Sequence, residues 1–205
     1  MRPAEAFANA ADPRRPNFND GEPHAQSAHS LPRTPVARDA LAGLREAGGV
    51  PAFVDINLRA PWWEPARIEP LMRGARWLKL NDEEIAALRP VARTADPGGA
   101  ALEAAVRLRA ELGIERVILT CGAAGASYVE DRVVSGRPPP VPRLVDTIGA
   151  GDAFSAVTLL GLLHAWDART SLERSLAFAA RICGQRGATA ADAPLYKEYR
   201  EAWGL

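Results

Sequence analysis

The chain has 205 residues, the length of one ordinary domain or of a large part of one, and 47% of them are hydrophobic, which is enough to build a core. Lysine and arginine together number 25, as do aspartate and glutamate, a balance that argues against a nucleic-acid-binding surface and against binding to an anionic membrane. The two cysteines and three histidines follow no zinc or disulfide spacing, no apolar run is long enough to span a membrane, and the N-terminus lacks the hydrophobic stretch of a signal peptide, so we expect a cytoplasmic protein.

The first part of the chain, residues 1–34, is predicted to be irregular or disordered. It has no helical or strand period, and it contains Pro3, Pro13, Pro16, Pro23 and Pro32. Order is expected from Pro35, beginning with an amphipathic helix that stops before Gly48 and Gly49. We therefore divide the chain into an irregular segment, 1–34, and a domain, 35–205.

Short apolar runs alternate with helical segments in the middle of the chain. The predicted strands are 51–56, 76–80 and 116–120. The predicted helices are 64–74, a short one capped by Asn81, and 100–112 after a loop over 94–99. Residues 125–134 read as a hairpin that turns at Glu130 and Asp131. Such alternation predicts a parallel α/β sheet, in which binding sites lie at the carboxyl ends of the strands.

A proline-rich crossover, residues 138–142, leads to the sequence VDTIGAGDAFS at 145–155. Two helices, 152–165 and 172–186, are expected to finish the chain, the second with a capping box formed by Thr170 and Glu173. A glycine-rich turn that opens a helix presents free backbone N–H groups at the positive end of the helix dipole, which suits a phosphate. Asp152 in the first helical turn could then take a proton from an attacking hydroxyl; the alternative is an N-cap aspartate after a flexible loop.

Polar residues also follow the first predicted strand. Every second residue along or just past this strand is polar, and such residues can share one face of the strand: Asp55, Asn57 and Arg59. Arg59 can pair with a phosphate or a carboxylate of a ligand, although a structural ion pair is an equally open interpretation.

Four short stretches at strand ends resemble the motifs of the ribokinase-like (PfkB) carbohydrate kinases, in the same order. They are the C-terminal signature DTIGAGD at 146–152, the fructokinase-type DINLR at 55–59, the Asn-x-x-Glu pattern at 81–84 and the nucleotide loop TCGAAG at 120–125. The resemblance covers roughly residues 35–190. It implies a ribokinase-like three-layer α/β fold, a mostly parallel sheet flanked by helices, that is incomplete at its N-terminus.

The resemblance also implies roles for individual residues. Asp152 would be the catalytic base and contact the acceptor, and Gly149, Ala150 and Gly151 would form the anion hole. The magnesium shell and the phosphate end of the nucleotide would be held by Asn81 and Glu84, and the nucleotide loop would be shaped by Thr120, Gly122 and Gly125. The remaining implied sites are a sugar site at Asp55, Asn57 and Arg59 and a potassium site at Asp146 and the carbonyl of Ile148. The alternatives are a capped surface helix for Glu84, an ordinary strand-to-hairpin turn for the loop, and a turn residue for Asp146.

The implied function is a fructokinase-like transfer of the γ-phosphate of ATP to a sugar hydroxyl with magnesium, by an enzyme that can form a homodimer. Neither a strand-rich lid nor a Gly-Gly sugar-binding motif is recognisable near the N-terminus, so we expect a truncated or replaced start and poor sugar turnover. The alternative is an inactive nucleotide-binding remnant with a scaffold or interaction role. A Rossmann dinucleotide site is disfavoured because the segment from Gly122 to Gly125 lacks the first glycine of the fingerprint, and no Walker A sequence occurs.

Overall fold

The computed structural model describes residue 43 and residues 51–59, 63–89, 96–189 and 193–205. Its five strands are β1 (Phe53–Asp55), β2 (Trp77–Asn81), β3 (Arg116–Thr120), β4 (Ala126–Val129) and β5 (Val133–Gly136). Its helices are α1 (Pro65–Arg73), α2 (Asp82–Leu88), α3 (Pro97–Leu112), α4 (Ala150–Leu163), α5 (Ala168–Cys183) and α6 (Ala193–Trp203). The predicted irregular segment 1–34 and most of the predicted first helix lie outside the described residues.

One sheet contains the five strands in the order β1-β2-β3-β4-β5. The first three strands are parallel, as predicted, and β4 and β5 add an antiparallel hairpin with Glu130 and Asp131 in its turn. The apolar run 51–56 is typical of a buried strand, but β1 is an edge strand of the described sheet and its three residues are only partly buried. The carboxyl ends of β1, β2 and β3 meet at one edge of the sheet, where three of the four predicted motifs lie. The fourth motif, residues 146–152, was also expected at a strand end, but it leads directly into α4 and follows no strand at once.

Helices cover both faces of the sheet and make the predicted three layers. On one face, α1, α2 and α3 pack against strand side chains that include Leu78, Leu80 and Leu119. Trp63 packs against this cluster, whereas its neighbour Trp62 lies outside the described residues. On the other face, α4 and α5 pack against β3 and β4. In the part of the chain that the structure describes, no helix combines the length and the apolar character needed to cross a membrane.

Several helix boundaries differ from the predicted ones. α3 begins at Pro97, inside the predicted loop, because the Asp96 side chain accepts a hydrogen bond from Gly99 N–H and caps the helix there. α5 begins at Ala168, since the Asp167 side chain accepts from the N–H groups of Arg169 and Thr170. The predicted capping box of Thr170 and Glu173 is therefore wrong.

The prediction that two helices finish the chain is also wrong, because α6 follows α5. α6 packs its apolar side against the end of α5 through Leu195, Tyr199 and Trp203, which contact Phe178 and Trp166. These residues recur every three or four positions, and this helical period was the signal that the sequence offered.

Candidate active site

The glycine turn before α4 has the predicted form. Gly149 is the N-cap with φ +83°, the left-handed region that favours glycine, and α4 begins at Ala150. The helix therefore starts two residues before the predicted position. Asp152 is the third helical residue and not the N-cap, which rules out the capping interpretation. Its side chain is exposed and makes no hydrogen bond or ion pair with any residue that the structure describes.

The segment after α5 closes over this turn. A Cβ atom at Gly149 would lie 2.5 Å from Cα of Ala188, so the two backbones approach more closely than any other residue type would allow. Asp146 contributes to the same closure. Its Oδ1 accepts from Ile148 N–H at 3.0 Å and its Oδ2 from Gly187 N–H at 3.2 Å.

These two N–H donors hold the pKa of Asp146 below its usual range. The chain near Gly187 thus lies against Asp146, and the potassium role stays a prediction.

Asn81 and Glu84 form a complete capping box at the start of α2. Glu84 N–H donates to Asn81 Oδ1 at 2.7 Å, and Asn81 N–H donates to Glu84 Oε2 at 2.8 Å. The other carboxylate oxygen, Glu84 Oε1, accepts a hydrogen bond at 3.1 Å from the N–H of Leu58, which follows β1. The Glu84 side chain is buried, and this burial raises its pKa more than the N–H donors and the Lys79 ammonium lower it. Glu84 thus connects the ends of β1 and β2.

The loop after β3 is a tight turn. A single 3₁₀ turn spans Gly122–Ala124, and Cys121 N–H donates to the carbonyl of Gly125 at 2.8 Å. Gly125 has φ +115°, and a Cβ there would lie 2.1 Å from the carbonyl oxygen of Gly136, so only glycine fits. Thr120 aligns with Asn81 across the β2–β3 pair, which places this loop next to the capping box.

Cys121 lies beside this loop. Its burial raises the pKa of the thiol to about 11, which disfavours a thiolate at neutral pH.

The residues after β1 have different environments. Asn57 is half-buried, Arg59 is exposed, and neither side chain makes a hydrogen bond or ion pair with a described residue. Asp55, in contrast, accepts hydrogen bonds from Lys79 Nζ at 2.9 and 3.1 Å and from Ser155 Oγ at 2.6 Å. The sequence did not single out Lys79 or Ser155. The available signal for Lys79 was a lone charge inside the apolar run Trp77–Leu80.

No group of three carboxylate, imidazole or thiol side chains in the described ranges is arranged to hold a metal ion. Magnesium keeps several waters and takes most of its other oxygens from phosphates, so it needs few ligands from a protein. Each carboxylate oxygen of Glu84 accepts one N–H and has a second lone pair, so Glu84 can serve as one ligand, directly or through water.

Comparisons with known proteins agree with these motifs. A model of the pfkB family of carbohydrate kinases matches residues 16–194. The chain is 31% identical to the aminoimidazole riboside kinase of Salmonella typhimurium over 188 residues, which are 87% of this chain and 56% of that protein. It is 30% identical to the fructokinase of Klebsiella pneumoniae over 169 residues, 79% of this chain and 52% of that protein. The chain therefore spans about half the length of these two relatives.

A solved structure gives the same result. The aminoimidazole riboside kinase of Salmonella enterica, complexed with aminoimidazole riboside and an ATP analog, superposes with a TM-score of 0.65 at 29% identity. The superposition covers 80% of this chain and 57% of that one. The three-layer arrangement expected from the sequence is thus the fold of known ribokinase-like kinases.

Proposed function

The chain belongs to the pfkB family of carbohydrate kinases, and we propose that it transfers the γ-phosphoryl group of ATP to a hydroxyl of a fructose-like sugar. One observation carries the proposal: the exposed Asp152 carboxylate, which has no partner among the described residues, directly follows the glycine turn at the N-terminus of α4. The turn supplies N–H groups for an anion, and the carboxylate supplies a proton acceptor beside it.

In the proposed reaction, Asp152 accepts the proton of the sugar hydroxyl while the hydroxyl oxygen forms a bond to the γ-phosphorus. The bond from that phosphorus to the oxygen that bridges the β- and γ-phosphates breaks, and ADP leaves. The N–H groups of Gly149 to Gly151 stabilise the charge of the transferred group, which is the main task of a protein in phosphoryl transfer.

The nucleotide would lie along the strand ends. Thr120, Gly122 and Gly125 shape a tight turn next to the Asn81–Glu84 capping box, which supports a binding surface there for the nucleotide. Magnesium, when bound, neutralises phosphate charge, and Glu84 is the residue that would hold it. For the proposed potassium site, Asp146 keeps its negative charge to low pH, and the carbonyl of Ile148 lies in the same loop.

The acceptor would lie near the end of β1. Asn57 and Arg59 offer polar groups without partners in the described part of the chain. The names of the two relatives, a fructokinase and an aminoimidazole riboside kinase, support a sugar or a ribose-containing acceptor.

A second candidate is a nucleotide-binding protein without sugar turnover. The observation behind it is that the elements of the nucleotide side, the turn at 120–125 and the Asn81–Glu84 capping box, are both formed within the described residues. Both candidates predict that ATP with magnesium raises the melting temperature, because a ligand that binds only the native state stabilises it. Gly151→Val should remove the shift by blocking the approach of a phosphate to the backbone.

Sugar-dependent ADP release, measured in a coupled assay with a panel of sugars, separates the two candidates. If Asp152 is the base, Asp152→Asn lowers the turnover about 10²–10⁴-fold. Asp82→Asn is the matched control, an exposed acid in the first turn of α2, and it should keep the rate. ATP binding without turnover on any sugar would favour the second candidate, and full turnover by Asp152→Asn would refute the assignment of the base.

A further inference from the structure

Three side chains from three elements meet behind the glycine turn. Lys79 of β2 donates to both carboxylate oxygens of Asp55 of β1, at 2.9 and 3.1 Å. Ser155 of α4 lies on the other side, with its Oγ 2.6 Å from Asp55 Oδ2 and 2.9 Å from the carbonyl oxygen of Gly151. The Ser155 hydroxyl thus connects the ion pair with the turn itself.

The burial of this ion pair is costly for the fold. Lys79 is 6% exposed and Ser155 8%, and the side chain of Asp55 is 22% exposed. The free-energy cost of removing two charges from water commonly cancels the gain from their attraction. A buried pair of this kind is therefore weak evidence for stability. A role in holding a charge at a defined place explains it better.

The ammonium lies next to the turn. A Cβ atom at Gly151 would be 3.8 Å from Lys79 Nζ, the nearest atom to that position. An ammonium has three N–H donors, and Asp55 receives two, so the third has no acceptor among the residues that the structure describes. The ammonium of the pair therefore lies at the positive end of the α4 dipole, with one N–H donor left for an anion.

We infer that Asp55 and Ser155 are positioning residues that hold the Lys79 ammonium beside Gly151 as a fixed positive charge for the phosphoryl groups of the nucleotide. This inference rests on the proposed function. It assigns to Asp55 the support of Lys79 in place of the sugar contact expected from the sequence. It also explains why the charge is compact, since a lysine presents a point charge where the planar guanidinium of arginine would need more room.

Composition makes the inference directly measurable. The chain has only two lysines, Lys79 and Lys197, so its ¹³C-lysine NMR spectrum contains two Cε signals. Lys197 lies on the exposed side of α6 near Glu201 and serves as the internal control. We expect ATP with magnesium to shift the Lys79 signal and adenosine to leave it in place, with Lys197 unchanged by either.

Substitutions test the positioning. Ser155→Ala and Asp55→Asn should each weaken ATP binding by about 10-fold or more, since a hydrogen bond to a charged group contributes roughly 1.5–3 kcal/mol. The affinity for adenosine should not change, which separates positioning of a charge from general damage to the fold. Ser127→Ala is the matched control, because it removes a hydroxyl from an exposed serine pair on β4 and β5, away from the turn.

The outcomes distinguish the inference from the proposed function. Wild-type binding of ATP with an unmoved Lys79 signal, or unchanged ATP affinity in Ser155→Ala, overturns the inference and leaves the proposed function standing. Absence of ATP binding by the wild-type chain overturns both. The Lys79→Met variant should lose most of the preference for ATP over adenosine. If this variant does not fold, the double variant Lys79→Met with Asp55→Asn removes both buried charges, and the same loss of preference is expected for it.

Discussion

At the scale of single residues, the carboxylates of the site differ in what they contact. Asp55, Glu84 and Asp146 each accept at least two hydrogen bonds from protein donors, whereas Asp152 accepts none from the described residues. The carboxylate oxygens of the first three residues are already engaged by these donors, whereas those of Asp152 are open to the hydroxyl of a ligand. The contrast supports the proposal that Asp152 is the base. It also indicates that Asp55, Glu84 and Asp146 help to hold the site together.

Another residue-scale feature is the buried hydroxyl network at Tyr128. Its OH group lies 2.8 Å from Thr158 Oγ1, 3.3 Å from Ser171 Oγ and 3.4 Å from Ser175 Oγ, and the four side chains connect β4, α4 and α5. Tyr128 is fully buried, so its hydroxyl cannot exchange these partners for water.

We expect Tyr128→Phe to lower the free energy of unfolding by about 1–3 kcal/mol, the cost of leaving buried polar groups unsatisfied. Urea denaturation measures this loss. Ser127→Ala, which removes one hydroxyl of the exposed pair of Ser127 and Ser135, should change it by less than about 0.5 kcal/mol. An equal loss in both variants would contradict the assigned importance of burial.

At the scale of elements, helix caps decide where the helices begin. Asp167 and Asp96 cap α5 and α3 upstream of the predicted starts, and Gly149 starts α4 without a side-chain cap. At Gly149 the first N–H groups stay free of side-chain acceptors. Ala150 N–H donates to the carbonyl of Thr147 at 3.2 Å, and an anion can bind the next N–H groups without displacing a side chain.

The corrected start of α5 gives a prediction. Asp167→Ala should lower the free energy of unfolding more than Glu173→Ala does, because two N–H groups of the first turn lose their acceptor. Glu173→Ala should lower the free energy of unfolding by less than about 0.5 kcal/mol, since the Glu173 side chain makes only an exposed ion pair with Arg169 among the described residues. Thermal or urea unfolding of both variants measures these losses of stability. A larger loss for Glu173→Ala would support the predicted capping box instead.

At the scale of the whole molecule, the site is assembled by loop closure between distant segments. The N–H groups of Val145 and Asp146 donate to the carbonyl of Cys183 at 2.9 and 3.3 Å, and Gly187 N–H donates to the Asp146 carboxylate. The loop before α4 is thus held by the end of α5. The stability of the turn and of the whole fold should consequently vary together.

This closure predicts a dependence on pH. The folded-state pKa of Asp146 lies below its ordinary value of 3.8. The stabilisation of the fold by the Asp146 carboxylate is therefore fully present above pH 3.8, and it is lost as the pH falls through the folded-state pKa. Asp146→Asn should therefore lower the melting temperature at pH 7, and the difference from the wild type should narrow below pH 3.8. Melting curves from pH 2 to 7 test this, and a constant difference would show that the charge of Asp146 contributes nothing.

The sequence by itself determined the elements of the site and their order. Strand 116–120, the hairpin turn at Glu130 and the capping of α2 by Asn81 were predictable, because apolar periodicity, turn residues and caps act over a few neighbouring positions. The glycine turn before Asp152 was predictable for the same reason. The roles of the site residues remain proposals to be tested.

Only the tertiary structure decided which distant residues meet. Asp55 contacts Lys79 across 24 positions and Ser155 across 100, and the backbone of Gly149 approaches Ala188 after the whole of α4 and α5. Such pairs depend on the register of neighbouring strands and on how helices pack over a sheet. Local patterns do not encode that register or packing, so the ion pair behind the turn became visible only in the folded chain.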